Sequence, residues 1–367
     1  MEVKVKGVYM NSIALVMIVK NEEKFLSRCL ESVKPYLDDI IVLDTGSEDQ
    51  TQDIARSHGA RIFEAKWQDD FAYARNTALS HSKCDFNLVL DADEFIVKWD
   101  KEAVSAFMDK QEIGKIKIIS HFSSSDGTDT AWSYISRLFP NGISYKGIIH
   151  EQLDSHLPRE IIPIEVNHDG YHREATEKNK SSRNIPLLKK ALSQDPKNTY
   201  YRYKLSMDYK GIGNYQAACG HMNKAYASVD RNSTIYSSLV VDYIYLLMNI
   251  KDYESALKII EKEQNYIGNS SGFYFVSGLL YVKLILSDVK KYINYFNRIE
   301  SSFIKCLQIG EDTGDGGVVG TGSFAALYNL GVFYEMTKKI PEAIECYEKA
   351  ATYEYAPAIE RLKKLRS

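Results

Sequence analysis

Two carboxylates, Asp91 and Asp93, stand at the end of a short apolar run, Phe86-Asn87-Leu88-Val89-Leu90. In an extended segment, residues two apart project to the same side. Convergent carboxylates repel one another unless a cation lies between them. A hard divalent ion, Mg²⁺ or Mn²⁺, suits such ligands and usually keeps substrate phosphates as further ligands. An Asp-x-Asp alone is also what any acidic turn produces, so its weight depends on its company. Asn21-Glu22-Glu23 follows the apolar run from Ser12 to Val19, and Asp44-Thr45-Gly46-Ser47 follows the run from Asp39 to Leu43. His150 and Glu151 are adjacent candidates for a general base, a role worth roughly 10²–10⁴-fold in rate. His168 closes the apolar run from Ile161 to Val166, and neutral imidazole is a usual metal ligand.

These residues need elements that bring them to one edge. Ser12–Val19, Asp39–Leu43, Ala60–Ala65 and Phe86–Leu90 read as buried strands separated by helical periods. Asn21 reads as a cap for the helix carrying Phe25, Leu26, Cys29, Leu30 and Val33. Ser47 and Gln50 read as a capping box for the next helix. Asp70 opens a third helix, which carries Arg75. A β-α-β-α-β-α-β series implies a mostly parallel sheet covered by helices, with ligands bound beyond the carboxyl ends of its strands. From Gly114 to Asn167 the pattern reads as antiparallel, with a Ser/Asp/Gly loop at 123–129 and a hairpin turn at Asn141-Gly142. Arg173, Lys178, Lys180 and Arg183 form a basic stretch. It reads either as a solvated helix start or as a lid over a diphosphate.

Composition narrows the classes. A net charge of -3 over 367 residues gives no field for nucleic acid or an anionic membrane surface. The apolar runs are too short to span a bilayer, and residues 1–6 lack the apolar core of a signal peptide. Five scattered cysteines without Cys-x-x-Cys spacing read as reduced thiols of a cytoplasmic protein. There is no G-x-G-x-x-G and no P-loop.

Val19-Lys20-Asn21-Glu22-Glu23, Asp44-Thr45-Gly46-Ser47-Glu48-Asp49, Trp67 with Asp70-Phe71-Ala72-Tyr73-Ala74-Arg75-Asn76, and Asp91-Ala92-Asp93-Glu94 occur in that order. Together they resemble the family 2 glycosyltransferases of the GT-A fold. Gly147-Ile148-Ile149-His150-Glu151 and His168-Asp169-Gly170-Tyr171 resemble the branch with C-terminal helical repeats, which includes bacteriocin S-glycosyltransferases of the sublancin type. The resemblance implies an α/β, GT-A (Rossmann-like) mixed-sheet domain over residues 1–175. An all-α, tetratricopeptide-like repeat domain over 176–367 would follow it.

The resemblance also implies roles. Asn21, Glu23 and Asp44 would line a uridine pocket, with Thr45 and Ser47 nearby. Arg75 would reach the diphosphate or ribose, with Lys178 and Arg183 as further donor contacts. Asp91 would touch the ribose or the metal's water shell, Asp93 would ligate Mg²⁺ or Mn²⁺ directly, and His168 would be a third ligand. Glu151 is favoured as base with His150 beside it, and the exchanged assignment stays open. The implied reaction is inverting hexose transfer from a UDP-sugar to a Cys or Ser/Thr side chain of a ribosomally made peptide. A cell-envelope saccharide acceptor and a non-catalytic scaffold are the alternatives.

Beyond Asn184 the pattern is helical throughout. Leu205, Tyr209, Ala218, Met222 and Ala225 recur at tetratricopeptide offsets, and Leu330-Gly331, Tyr334, Ala343, Tyr347 and Ala350 do so more fully. A middle unit around Tyr243, Leu247 and Ala256 is degenerate. The glycine-rich segment 310–322 reads as a mobile loop. Such stacks present concave surfaces, so a peptide partner and a homodimer through the repeats are both expected.

Overall fold

The computed structural model describes residues 11–124, 127–169, 174–312, 314 and 316–366. Gly170, Tyr171 and Arg173, named above, lie outside the described residues, as do residues 1–10 and 125–126. The chain divides into two compact units, one of residues 1–121 with 132–176, the other of 122–131 with 177–367.

The first unit is a helix-flanked mixed sheet. Its strands are β1 (Ile13–Val19), β2 (Asp39–Asp44), β3 (Arg61–Glu64), β4 (Phe86–Val89), β5 (Glu94–Trp99), β6 (Ile113–Ser124), β7 (Gly127–Pro140) and β10 (Arg159–His168). They lie in the order β3-β2-β1-β4-β7-β6-β10-β5. A short pair, β8 (Tyr145–Lys146) and β9 (Gln152–Leu153), stands apart. β1, β2, β3 and β4 run parallel, β7 joins β4 antiparallel, and β5 joins β10 antiparallel. Val19 pairs with Asp44 and Val16 with Val89, so the polar residues after β1, β2 and β4 emerge at one edge.

Strand alternation fills both faces. Leu15, Met17, Phe86 and Leu88 pack with Leu26, Leu30 and Val33 of α1 (Leu26–Val33). Ala14, Val16, Ile41 and Val89 pack with Ala72, Ala74 and Ala78 of α3 (Phe71–Leu79). α2 (Thr51–Ser57) and α4 (Lys101–Met108) complete the unit's helices before α5.

Several local expectations change. Asn21 does not cap α1, whose N-cap is Phe25 with no side-chain bond. The Ser47–Gln50 capping box is absent too: Gln50 precedes α2 without a side-chain bond, and Asp49 Oδ1 accepts from Thr51 N–H at 3.0 Å. Across Gly114–Asn167 the pairing is not antiparallel throughout, because β10 runs parallel to β6. The segment read as a loop at 123–129 is strand up to Ser124 and again from Gly127. Gly142 does turn the chain, at φ +87°, but β8 pairs with β9 rather than with β7.

The second unit is built of helices joined by short turns. α5 (Glu174–Gln194) leads into α6 (Thr199–Gly211), α7 (Tyr215–Ser228), α8 (Tyr236–Asn249), α9 (Tyr253–Glu263) and α10 (Ser271–Ser287). α11 (Val289–Tyr292), α12 (Phe296–Ile309), α13 (Phe324–Met336), α14 (Ile340–Ala351) and α15 (Ala356–Arg366) follow. Asn198, Asn214, Asp252 and Ser270 cap α6, α7, α9 and α10 through their side chains, each typically worth about 1 kcal/mol. Ala218, Met222 and Ala225 are fully buried where the repeat spacing placed them. A Cβ on Gly331 would lie 2.6 Å from the Tyr347 ring, so the glycine is what lets that ring sit against α13.

The glycine-rich segment is held by its own acids rather than left free. Asp312 accepts from Ser271 N–H at 2.7 Å, and Glu311 accepts from Gly320 N–H at 3.0 Å. Within it lies the short strand β11 (Gly316–Val318), and Val319 N–H donates to Thr130 O at 2.8 Å, both residues of the second unit.

Candidate active site

The carboxyl edge of the sheet is assembled by loops that hold one another. Asn21 adopts a left-handed conformation, φ +56°, which asparagine tolerates better than most side chains. That turn lets Asn21 Oδ1 accept from Glu48 N–H at 2.8 Å while Asn21 N–H donates to Ser47 Oγ at 2.9 Å. Glu23 Oε2 accepts from Gln50 N–H at 3.1 Å. Thr45 Oγ1 donates to Val19 O at 3.0 Å. The residues read from sequence as separate caps thus form one lock between the loops after β1 and β2.

Asp44 is buried at the floor of this lock. Its Oδ1 accepts from Gly46 N–H at 2.7 Å and Ser47 N–H at 2.8 Å. Its Oδ2 is buried with no hydrogen-bond partner. A buried carboxylate oxygen left so is costly, and a ligand N–H or O–H would relieve it.

Asp91 and Asp93 do not share the side of an extended segment. They sit in a turn closed by Glu94 N–H donating to Asp91 O at 3.0 Å, and their carboxylates hold different partners. Arg75 Nη2 donates to Asp91 Oδ1 at 2.8 Å, and Arg137 Nη2 donates to Asp91 Oδ2 at 3.0 Å. Burial alone would raise the Asp91 pKa, but Arg137 and Arg75 outweigh it and hold the carboxyl well below the usual carboxylate range. Arg137 also donates to Glu94 Oε1 at 3.0 Å. Glu94 Oε2 accepts from Asp91 N–H at 2.8 Å, and burial pushes its pKa up. The two arginines are 8–9% exposed and Asp91 is 41% exposed, so the aspartate is the open end of the cluster. With each Asp91 oxygen on a guanidinium, the second metal ligand expected of Asp91 is not what this geometry offers.

Arg137 was not among the residues singled out from sequence. Its signal is a cation in the strand segment Arg137-Leu138-Phe139, where it is buried beside two fully enclosed apolar neighbours. A buried cation demands a paired acid, and Asp91 with Glu94 supplies it.

α3 docks the base candidate. Asp70 caps the helix by accepting from Tyr73 N–H at 2.9 Å, and Phe71 N–H donates to Ile148 O at 2.9 Å. Asn76 grips Tyr145 twice: its Nδ2 donates to Tyr145 O at 2.9 Å and its Oδ1 accepts from Tyr145 N–H at 2.7 Å. Beyond this clamp Arg75 Nε donates to Glu151 Oε1 at 2.5 Å. One guanidinium therefore joins Asp91 to Glu151. His150, next to it, is turned by a left-handed backbone, φ +49°.

Asp93 pairs instead with His168, Oδ2 to Nε2 at 3.1 Å, while His168 Nδ1 lies 3.2 Å from Ser120 Oγ. In the tautomer with Nδ1–H donating to Ser120, two acceptors face each other and need a proton or a cation between them. One carboxylate and one imidazole oriented by an outer partner fit a Mg²⁺ or Mn²⁺ that takes its remaining ligands from phosphate and water. Among the described residues no cluster of three His, Cys, Asp or Glu side chains suits a metal by itself. Lys178 and Arg183 lie on α5 in the other unit, and the cluster described here is built without them.

Residues 14–173 match the family described as "Glycosyl transferase family 2", so the first unit carries a domain of that family. The chain is 37% identical over 153 residues to a TPR repeat-containing protein of Synechococcus elongatus, a match covering 41% of this chain and 38% of the relative. It is 29% identical over 282 residues to the SPbeta prophage-derived glycosyltransferase SunS of Bacillus subtilis, covering 73% of this chain and 66% of that protein. In neither case does the chain span two thirds of the relative's length. The crystal structure of MamA aligns with 49% of this chain at a TM-score of 0.39 and 20% identity. No helix among the described residues is long and apolar enough to cross a membrane.

Proposed function

We propose that the first unit, a family 2 glycosyltransferase domain, transfers a hexose with inversion from a UDP-sugar to a Cys or Ser/Thr side chain of a ribosomally made peptide. The observation that carries this reading is the single guanidinium of Arg75 joined to both Asp91 and Glu151. It ties an acid on the donor side to a candidate base.

Each group has a task in this reading. Asp44 Oδ2 accepts from a base N–H, such as the N3–H of uracil. Asn21, Glu23, Thr45 and Ser47 keep the two loops around the nucleoside rigid. Asp91 accepts from a ribose hydroxyl while Arg75 and Arg137 hold it in place. Asp93 and His168 would hold Mg²⁺ or Mn²⁺, which would supply positive charge toward the leaving diphosphate, a contribution of several kcal/mol. Glu151 keeps Oε1 on Arg75 and presents Oε2 to the acceptor, which must come within about 3–3.5 Å of the anomeric carbon. A thiol, with a pKa of about 8.5, asks less of that base than a hydroxyl does. The helical unit holds the peptide and pairs two copies of the chain in the cytoplasm. The similarity to SunS favours a peptide over a cell-envelope saccharide.

The test is to incubate the protein with UDP-hexoses, Mn²⁺ and Cys- and Ser-containing peptides and weigh the products. Hexosylated peptide is expected, lost in EDTA and in Asp93→Ala. Turnover surviving both would remove the metal from the scheme, and sugar found only on saccharide acceptors would overturn the peptide. Glu151→Gln is expected to harm O-transfer more than S-transfer, and equal losses would count against Glu151 as base.

A further inference from the structure

The helical unit contains a cavity that the proposed transfer does not use. It measures about 310 Å³ and is lined by one face each of α9, α10 and α12. That is the lower end of the range for small-molecule sites. Ile260 and Phe273 lie behind the surface, 1% and 0% exposed, and the half-buried Tyr274 ring gives the cavity its apolar side. Its charged lining residues, Arg298 and Lys305, are both cations. They are seven residues apart on α12, two turns along the same face.

The hydrogen-bond account of this lining is lopsided. Ser277, Ser301 and Ser302 donate their hydroxyls to backbone carbonyls, at 2.7, 3.2 and 2.6 Å. Nearby Glu261 accepts from Tyr295 at 2.9 Å. Arg298 reaches Gln264 Oε1 at 3.5 Å, hydrogen-bonds the Tyr281 hydroxyl and lies against the Tyr295 ring. Lys305, half-buried, has no acid and no hydrogen-bond acceptor among the described residues, and the Tyr274 hydroxyl has no partner among them either. The donors left over are an ammonium, part of a guanidinium and a phenol, all at one cavity.

We infer that this cavity binds a small organic anion, with a phosphate or carboxylate head held by Lys305, Arg298 and the Tyr274 hydroxyl and a ring or apolar body against the Tyr274 ring. The head would supply the acceptors these donors lack, through charge-assisted bonds stronger than neutral ones. The inference does not depend on the transfer reaction, because every residue named lies in the second unit.

Calorimetry on the full chain tests it with four probes: phenyl phosphate, benzoate, inorganic phosphate and neutral benzyl alcohol. Phenyl phosphate or benzoate is expected to bind more tightly than inorganic phosphate and benzyl alcohol, since only these two carry both head and body. Whichever of the two binds more tightly identifies the head group. Lys305→Met is expected to weaken that binding about tenfold or more, and Tyr274→Phe, which removes one hydroxyl, by less. Arg75→Gln, in the first unit, is expected to leave it unchanged. The proposal is overturned if the anions bind no better than benzyl alcohol. Binding that survives Lys305→Met but is lost in Arg75→Gln also overturns it. Should Lys305→Met unfold the chain by circular dichroism, Tyr274→Phe and Arg298→Gln decide, and undiminished affinity in both refutes the site.

Discussion

Asp91 in the sheet unit and Glu263 in the helical unit are both acids held by side chains from distant parts of the sequence, by opposite means. Glu263 is wholly enclosed. Its Oε1 accepts from the Tyr226 hydroxyl at 2.6 Å and its Oε2 from the Tyr236 hydroxyl at 2.7 Å, with Arg231 and Lys262 on the flank. Asp91 takes two buried guanidinium groups and remains open on one side. Neutral donors close a carboxylate into a structural node. Buried cations with an accessible acid keep charge, geometry and access together, so the acid can still accept a hydrogen bond from a ligand. The difference teaches that burial alone does not mark function. The kind of partner and the open end do.

That contrast is sharpest at Arg75. Arg75→Ala strips one partner from Asp91 and one from Glu151, and breaking such a buried pair costs roughly 3–5 kcal/mol. Urea unfolding is expected to show that loss, together with loss of sugar transfer. Arg75→Lys is expected to recover part of the stability and little of the turnover, because an ammonium lacks the two-directional fork. Wild-type stability in Arg75→Ala would break the comparison. The matching change in the helical unit, Glu263→Gln, is expected to cost about 1–3 kcal/mol by mismatching the hydroxyls. Turnover per folded molecule should stay unchanged, and a fall there would mean that Glu263 is more than a structural node.

The smallest effect falls on Asp208 of α6, whose Oδ2 is buried without a partner. Burial raises its pKa to about 6. The folded state therefore binds more protons than the unfolded one between about pH 4 and 6. Stability tied to this group is complete below that window and lost as pH rises through it. Asp208→Asn is expected to add roughly 1 kcal/mol at pH 7, after a discount for partial exposure, and to flatten thermal stability across the window. An unchanged pH profile would refute this.

Much of the sheet unit was legible because its signals are local. Apolar runs of strand length gave β1, β2 and β4, and Asp70 announced α3. The site was less legible where one residue type serves two purposes. Asn21 and Ser47 carry the chemistry of helix caps, yet they tie two loops to each other across the sheet edge, and nothing in their spacing distinguishes the uses. Asp91 and Asp93 diverge because the chain turns at Asp91, which the apolar run before it could not reveal. Arg137 needed tertiary context, since its acids lie more than forty residues earlier. In the helical unit, the small residues Ala218, Ala225 and Gly331 were readable because close helix approach leaves room for little else.

Asn76 spends both ends of its amide on the main chain of a single residue, Tyr145. A grip of that kind is blind to what it holds. Residue 145 is fixed separately by its own side chain, which is buried edge-on against Phe139 and lies under the Arg75 guanidinium. Position 76 answers to the backbone alone: aspartate there would face the Tyr145 carbonyl with a second acceptor, so Asn76→Asp would release α3 from this anchorage.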